Sequence, residues 1–185
     1  KDEMFVAERG KGAYVNNRRM RVSGRREATQ MLIGTGVPHL GKPGHGLFLR
    51  ELAAVMPRFV NVRRSGSAAL DIAYVAAGRF DAFWERGLNT WDFAGAAVLV
   101  REAGGLCGTL EKSDDLTRAT DIICGNEAAD RELRAAAFEA YLERKQAEFA
   151  ELEQVYLQKY EQAKNDLGAA RLAAEEERRA AAATV

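Results

Sequence analysis

Apolar and polar positions change rhythm along the chain. Met4-Phe5-Val6 and Ala13-Tyr14-Val15 are short strand-like runs flanking a Gly-Lys-Gly turn, and Asn16-Asn17 is a hairpin signal that leads into a third strand, Arg18 to Val22. Met31-Leu32-Ile33 is a solid apolar run that predicts a buried strand. The stretch Gly34 to Gly46 carries five glycines together with Pro38 and Pro43, and reads as a loop. A helix is predicted over Leu47–Met56 and stopped by Pro57, followed by a strand over Phe59–Val62. Ser67 to Ala77 has a Ser cap, helical apolar spacing through Leu70, Ile72, Ala73, Val75 and Ala76, and Gly78 just past its end. Phe80–Glu85 is a strand candidate. Thr90 caps a helix running to Ala103 and closed by Gly104-Gly105. Leu106-Cys107-Gly108 and Ile122-Ile123-Cys124 are short strands, and Asn126 caps a final helix.

Strands and helices alternating in this way predict a mixed α/β layered sandwich. From about Glu143 the chain changes character. Gly168 is the single glycine, and Ala, Glu, Gln, Arg and Lys dominate. Phe138, Leu142, Phe149, Leu152, Tyr156, Ala163 and Leu167 keep an approximate three-four spacing, so the last helix extends into an amphipathic tail with a weak coiled-coil tendency. Its alanine-rich, charged end, Glu175 to Ala183, is expected to fray. The division this predicts is a domain over 1–143 and a helical tail over 144–185.

Composition narrows the function classes. The 185 residues hold 27 basic and 27 acidic side chains, and a zero formal charge argues against a bulk polyanion binder. The zero is uneven, however. Residues 1–64 have a balance of +8, residues 65–143 of −7 and residues 144–185 of −1, which suggests a cationic wall beside an acidic cluster, or two complementary faces. Five arginines fall between Arg18 and Arg26 without an aromatic platform, the composition of a solvated hairpin rim more than of a nucleic-acid surface. No apolar run has the roughly 18–20 residues that span a bilayer, and Lys1-Asp2-Glu3-Met4 does not open a signal peptide. Cys107 and Cys124 have no metal-ligand spacing and read as buried thiols of a reducing cytoplasm.

One pattern is a decoy. Gly36 to Lys42 fits the G-x-x-x-x-G-K half of a nucleotide P-loop, but the next residue is Pro43, which lacks the magnesium-binding hydroxyl and pushes Lys42 out of helical dihedrals. His39 and His45 in the same loop have no third ligand of zinc type nearby and read as solvated.

The chemistry concentrates between Arg63 and Gly105. Helix N-termini begin at Ser67 and Thr90, each offering free amides and positive dipole to an anion. Asp92 lies in the first turn of the second helix, and Glu85 ends the strand before it. Oxygen-rich acids beside helix N-termini suit a hard cation together with a phosphate. On spacing alone, the plainer alternative of a Ser cap and a dipole-compensating Asp stands first.

Gly66-Ser67-Ala68-Ala69-Leu70-Asp71, the run to Glu85, and Trp91-Asp92-Phe93-Ala94-Gly95 followed by Glu102-Ala103-Gly104-Gly105 resemble the C-terminal half of inositol monophosphatases, most of all the bacterial ones. Ala7 to Tyr14, Asn17-Arg18-Arg19, Val22-Ser23 and Gly125-Asn126-Glu127 match the same family, so the resemblance covers about residues 1–135. It implies an αβαβα fold of the inositol monophosphatase/fructose bisphosphatase type, and a Mg²⁺-dependent phosphomonoesterase acting on inositol 1-phosphate or a similar polyol phosphate through metal-activated water. Carried over by the resemblance, Asp92 is a metal ligand, Gly66, Ser67 and Ala68 contact the substrate through backbone and hydroxyl, and Glu85 accepts from ring hydroxyls. Histidinol-phosphate phosphatase, sugar bisphosphatase and bisphosphate nucleotidase share the scaffold.

The family's Asp-Pro-x-Asp-Gly-Thr motif and its preceding Glu-Glu pair, which supply most metal ligands and orient the water, are not found in this sequence. The chain is therefore expected to carry the substrate-facing half and one metal ligand. No catalytic residue is identifiable beyond the metal ligand Asp92, because the water-activating motif is absent, and activity alone is expected to be small. The expected partners are a small phosphorylated polyol and a second copy or a chain supplying the missing half, with neither membrane nor nucleic acid. A non-catalytic fragment acting through its helical tail is the alternative from a different class.

Overall fold

The computed structural model describes residues 2–182, with side chains through 179, and divides into two compact units, Lys1–Tyr141 and Leu142–Val185. In the first unit, β1 (Phe5–Glu8), β2 (Gly12–Val15) and β3 (Arg18–Arg19) form an antiparallel three-stranded sheet. Asn16 and Asn17 both take positive φ, 46° and 65°, so the hairpin turns tightly and pairs Val15 with Arg18. The third strand is shorter than the expected Arg18–Val22. At Val22 the backbone N–H leaves the hairpin and donates to the Ala103 carbonyl at 3.2 Å.

The second sheet contains β4 (Leu32–Thr35), β5 (Asn61–Arg63), β6 (Ala82–Arg86), β7 (Leu106–Gly108) and β8 (Asp121–Gly125), in the order β5-β4-β6-β8-β7. The first three are parallel, because α1 (His45–Val55) and α2 (Ala68–Ala76) provide the crossovers, whereas β8 returns antiparallel to both neighbours. α3 (Thr90–Glu102) links β6 to β7, and α4 spans Glu127–Ala182, of which residues 127–141 belong to the first unit. A single 3₁₀ turn, Ala28–Gln30, precedes β4 and has no counterpart in the apolar pattern.

Side-chain alternation along β6 and β8 builds two cores. Phe83, Ile122 and Cys124 face α2, α3 and the three-stranded sheet, together with Ile72, Phe93, Val100 and Met20. Ala82, Trp84 and Ile123 point the other way, against Phe48 and Val55 of α1 and Ala129, Leu133 and Ala136 of α4. The result is a β-α-β-α stack, four successive layers of the αβαβα order and an α+β sandwich as expected. Each fully buried aromatic or aliphatic side chain here contributes about 1.5–3 kcal/mol.

Carboxylates tie the layers. Asp81, fully buried, accepts from the Leu32 N–H at 2.7 Å through Oδ2 and from the Ser23 hydroxyl and Arg25 guanidinium through Oδ1. Its own N–H donates to the Leu32 carbonyl at 2.8 Å, and its carbonyl accepts from the Asn126 N–H at 3.1 Å. Asn126 Nδ2 closes the ring by donating to Ser23 Oγ at 2.9 Å, while Asn126 Oδ1 caps α4 through Ala129 N–H at 2.8 Å. Glu51 of α1 accepts from Trp84 Nε1 at 3.3 Å and Arg86 Nε at 2.7 Å. Glu102 accepts from Gly10 and Gly12 N–H, both at 2.8 Å, which holds its carboxyl below the usual range and pins the β1–β2 turn to α3.

The second unit is helical through Ala182, which includes the described part of the segment expected to fray; Ala183 lies outside the described residues. Phe149, Leu152, Tyr156, Tyr160 and Leu167 lie along this helix, each more than half exposed. Among the described residues no helix is long and apolar enough to cross a membrane.

Because the Asp81 carboxylate satisfies donors from two segments at once, Ser23 with Arg25 and Leu32, replacing it with Ala strands a buried amide and a hydroxyl. Asp81→Ala is expected to cost about 2–4 kcal/mol in urea unfolding. A loss within the scatter of surface substitutions would show that the carboxylate does not organise the sheet.

Candidate active site

The site grows from the C-terminal end of β6 and the N-termini of α2 and α3. α2 starts where the Ser67 side chain accepts from Leu70 N–H at 3.4 Å, the cap read from the sequence. Gly66 before it sits at φ +92°, a left-handed conformation that a side chain at this position would strain. Gly66 and Ser67 are exposed and Ala68 is half-buried, so the first turn of α2 meets solvent with free amides.

The cap of α3 differs from expectation. Asn89, not Thr90, is the N-cap, in a capping box in which the Asn89 side chain pairs with the backbone at Asp92 and the Asp92 carboxylate accepts from Asn89 N–H at 2.9 Å. Asn89 has the extended backbone a cap requires, φ −98° and ψ 155°, whereas Thr90 is already the first helical residue and its hydroxyl donates to the Thr117 carbonyl at 3.3 Å.

Glu85 leaves β6 half-buried, one residue from the strand's end. Burial pushes its carboxyl above the usual range. Lys42 opposes that shift, Asp71 and Asp92 reinforce it, and Arg64 opposes it again. The charges acting on Glu85 therefore come from Asp92, the other carboxylate singled out in the sequence, and from Asp71, Lys42 and Arg64, which had been assigned no role. Lys42 is the lysine of the false P-loop pattern. Folded, its Nζ donates to the Gly87 carbonyl at 2.7 Å, at the far end of β6. Gly36, the first glycine of the same pattern, lies against Glu85 so closely that a Cβ there would fall 1.8 Å from the carboxyl carbon.

Asp71 is buried in the first turn of α2, and burial raises its pKa against the opposing pull of Ser65 and Arg64. Its Oδ1 has no hydrogen-bond partner among the described residues. The motif Gly-Ser-Ala-Ala-Leu-Asp contained this residue, and its place in the first helical turn was the available signal. Arg64, just before the cap, had no signal beyond the basic balance of the first 64 residues.

Carboxylates and cations within electrostatic reach of Glu85 are a combination that can bind a ligand carrying both an anion and hydroxyl donors. The same residues do not complete a metal site. Among the described residues no group of three His, Cys, Asp or Glu is placed to hold a metal ion, and one oxygen of Asp92 is engaged in its own capping box. Magnesium asks for near-octahedral oxygen coordination, which a single carboxylate does not provide.

Crowded acids at a desolvated position oppose folding. A carboxyl whose pKa is raised on folding costs stability above that raised value, and the cost is relieved as pH falls through it. Glu85→Gln is therefore expected to stabilise the chain at pH 8 by about 0.5 kcal/mol after allowance for solvent screening, with the gain vanishing toward pH 4. Urea midpoints at the two pH values check this, and a variant less stable than wild type at pH 8 would contradict it.

The profile of the inositol monophosphatase family matches residues 1–143. The chain is 51% identical over 133 residues to the inositol-1-monophosphatase of Rhizobium meliloti (strain 1021), a match covering 72% of this chain and 50% of that protein. It is 44% identical over 128 residues to a Pseudomonas aeruginosa protein named Nus factor SuhB, covering 68% and 47% respectively. Among solved structures, the extragenic suppressor protein suhB from Bartonella henselae superposes with a TM-score of 0.71 at 51% identity, over 74% of this chain and 52% of that one. The chain thus spans about half the length of the curated relatives it matches. With a family profile covering most of its length and the same fold in its relatives, this chain belongs to the inositol monophosphatase family.

Proposed function

We propose that this chain is the substrate-facing half of a phosphomonoesterase that hydrolyses inositol 1-phosphate or a similar small polyol phosphate in the cytoplasm, with magnesium as the cofactor of the whole enzyme. The domain assigned to this role is residues 1–143, and the helical tail is residues 144–185. The observation that carries the reading is the convergence on Glu85 of Arg64, Lys42 and Asp92, from three segments distant in sequence. Arg64 and Lys42 attract a phosphate. The amides around Gly66, Ser67 and Ala68 receive it at the positive end of α2, and the Ser67 hydroxyl has a proton to donate to it. Glu85, short of solvent and faced by other acids, gains most from a ligand that brings hydroxyl donors, because each such bond stabilises the ionised carboxylate that burial disfavours. Asp92 is the residue assigned to the metal. It does not form a complete site with the residues around it, so the chemistry assigned to this chain stops at binding and orienting the substrate.

Phosphate release from inositol 1-phosphate with Mg²⁺ tests this directly. The 185-residue chain alone is expected to turn over at least about 100-fold more slowly than a full-length relative. Adding a chain that carries the Glu-Glu and Asp-Pro-x-Asp-Gly-Thr segments is expected to restore turnover, with Glu85→Gln then raising KM about 10-fold. Comparable turnover by the chain alone would overturn the division of labour. A preference for histidinol phosphate, a sugar bisphosphate or a bisphosphate nucleotide would replace the substrate while keeping the scaffold.

A second reading, association through the tail, is favoured by the exposure of Phe149, Leu152, Tyr156, Tyr160 and Leu167 along one helix. Sedimentation of the chain with and without residues 144–185 is expected to show a homo-oligomer only when the tail is present; a mass unchanged by its removal would end this reading.

A further inference from the structure

The two cysteines lie apart from the residues assigned above and face one another. Cys107 of β7 and Cys124 of β8 are directly opposed in an antiparallel register. Both are free and buried, and both belong to the core cluster shared with α2 and α3, so their side chains leave the sheet on one face.

Backbone hydrogen bonds identify which kind of antiparallel pair this is. On the β6 side of β8, Asn126 N–H donates to the Asp81 carbonyl at 3.1 Å. Backbone polar groups of alternate residues in a strand point to the same side, so those of Cys124 are directed toward β6 and those of Ile123 and Gly125 toward β7. On β7, the Cys107 carbonyl accepts from Arg101 Nη2 at 3.0 Å, and Thr109 N–H, two residues on, donates to the Ser113 carbonyl at 2.8 Å. Both groups therefore point away from β8. Cys107 and Cys124 are thus a non-hydrogen-bonded pair, the register in which opposed Cα atoms lie about 4.5 Å apart and the side chains are closest. That spacing falls inside the range of roughly 4.4–6.8 Å that a disulfide spans. Burial first, and the neighbouring Cys107 side chain second, hold the Cys124 thiol well above its ordinary pKa, so Cys124 stays protonated. Cys107 is the more accessible sulfur: it is 5% exposed against 0% for Cys124, and it belongs to a three-residue strand at the edge of the sheet.

We propose that Cys107 and Cys124 form a dithiol site that a small hydroperoxide converts into a cross-strand disulfide, pinning the edge strand β7 to β8. The Cys107 sulfur attacks the O–O bond of hydrogen peroxide and becomes a sulfenic acid, releasing water. The Cys124 sulfur then displaces the hydroxyl from the Cys107 sulfur, and its thiol proton leaves with that hydroxyl as a second water. The two thiols lose two electrons and two protons in all, and the peroxide is reduced to water. Neither Glu85 nor Asp92 takes part, so the site stands independently of the phosphatase reading.

The full chain is treated with hydrogen peroxide under native conditions, then denatured and capped with N-ethylmaleimide. The expected product is a monomer lighter by two hydrogens that takes up no maleimide, yields one cross-linked peptide pair containing Cys107 and Cys124, and regains two labelled thiols with dithiothreitol. Closing this short loop is expected to raise Tm on the order of 5 °C. Cys107→Ser is expected to keep one labelled thiol, whereas Cys124→Ser is expected to hold Cys107 as a sulfenic acid that dimedone captures, and neither forms an internal bridge. The proposal fails if both wild-type thiols still label after a treatment that oxidises free glutathione. It also fails if either cysteine accumulates as sulfinic or sulfonic acid without a bridge, or if the only disulfides join separate chains.

Discussion

A single buried carboxylate sets the frame. Asp81 draws the segment after β3, the first residue of β4 and the start of β6 into one hydrogen-bonded ring with Asn126, the cap of α4. Burying a carboxylate costs several kcal/mol unless every lone pair is used. The ring therefore closes in one arrangement or leaves an unpaired charge in the core. That all-or-none demand supplies the register that short strands with weak periodicity do not supply themselves. It also places β6, whose far end carries Glu85.

The two ends of β6 are opposites in energy. At Asp81 the charge is compensated from all sides, while four residues on, at Glu85, acids crowd a half-buried carboxyl and the glycine at position 36 is the neighbour that leaves it room. A fully hydrogen-bonded carboxylate before one end of the strand thus contrasts with a half-buried one near the other, whose charge is disfavoured by burial first and only partly offset by Lys42 and Arg64. Asp71, with an unpartnered buried oxygen beneath the first turn of α2, extends the same pattern.

Several residues that read as family signature act here as joints. Glu102 of Glu-Ala-Gly-Gly reaches back across the chain to hold the Gly10 and Gly12 amides, which couples two signature segments through one carboxylate. Gly105 sits where a Cβ would lie 2.7 Å from methyl groups of Val22 and Val100, so a glycine is what the packing between layers admits there. Ser23 and Asn126, from two further matching segments, meet in the Asp81 ring. The resemblance and the contacts are thus two expressions of one constraint.

Local rules determined much of this. Asn16-Asn17 makes the hairpin because both residues accept positive φ, Ser67 caps α2 because its oxygen reaches an early helical amide, and the alternation along β6 and β8 separates the two cores. The apolar pattern also placed nearly every element, since period two and period 3.6 are properties of the chain itself. Where two adjacent polar residues compete for the cap of α3, the preference for Asn over Thr is a fraction of a kcal/mol, and the contact between Thr90 and the Thr117 carbonyl, remote in sequence, contributes to the outcome. The candidate site was legible only in part. Glu85, Asp92 and the motif that contains Asp71 stand out along the chain, but Lys42 and Arg64 come within reach of Glu85 only through chain crossings. The pairing of Cys107 with Cys124 likewise exists only once β7 and β8 are in register. Periodicity is written in neighbours along the chain, whereas charge and sulfur chemistry depend on distance through space, and that distance is set by the folded layers.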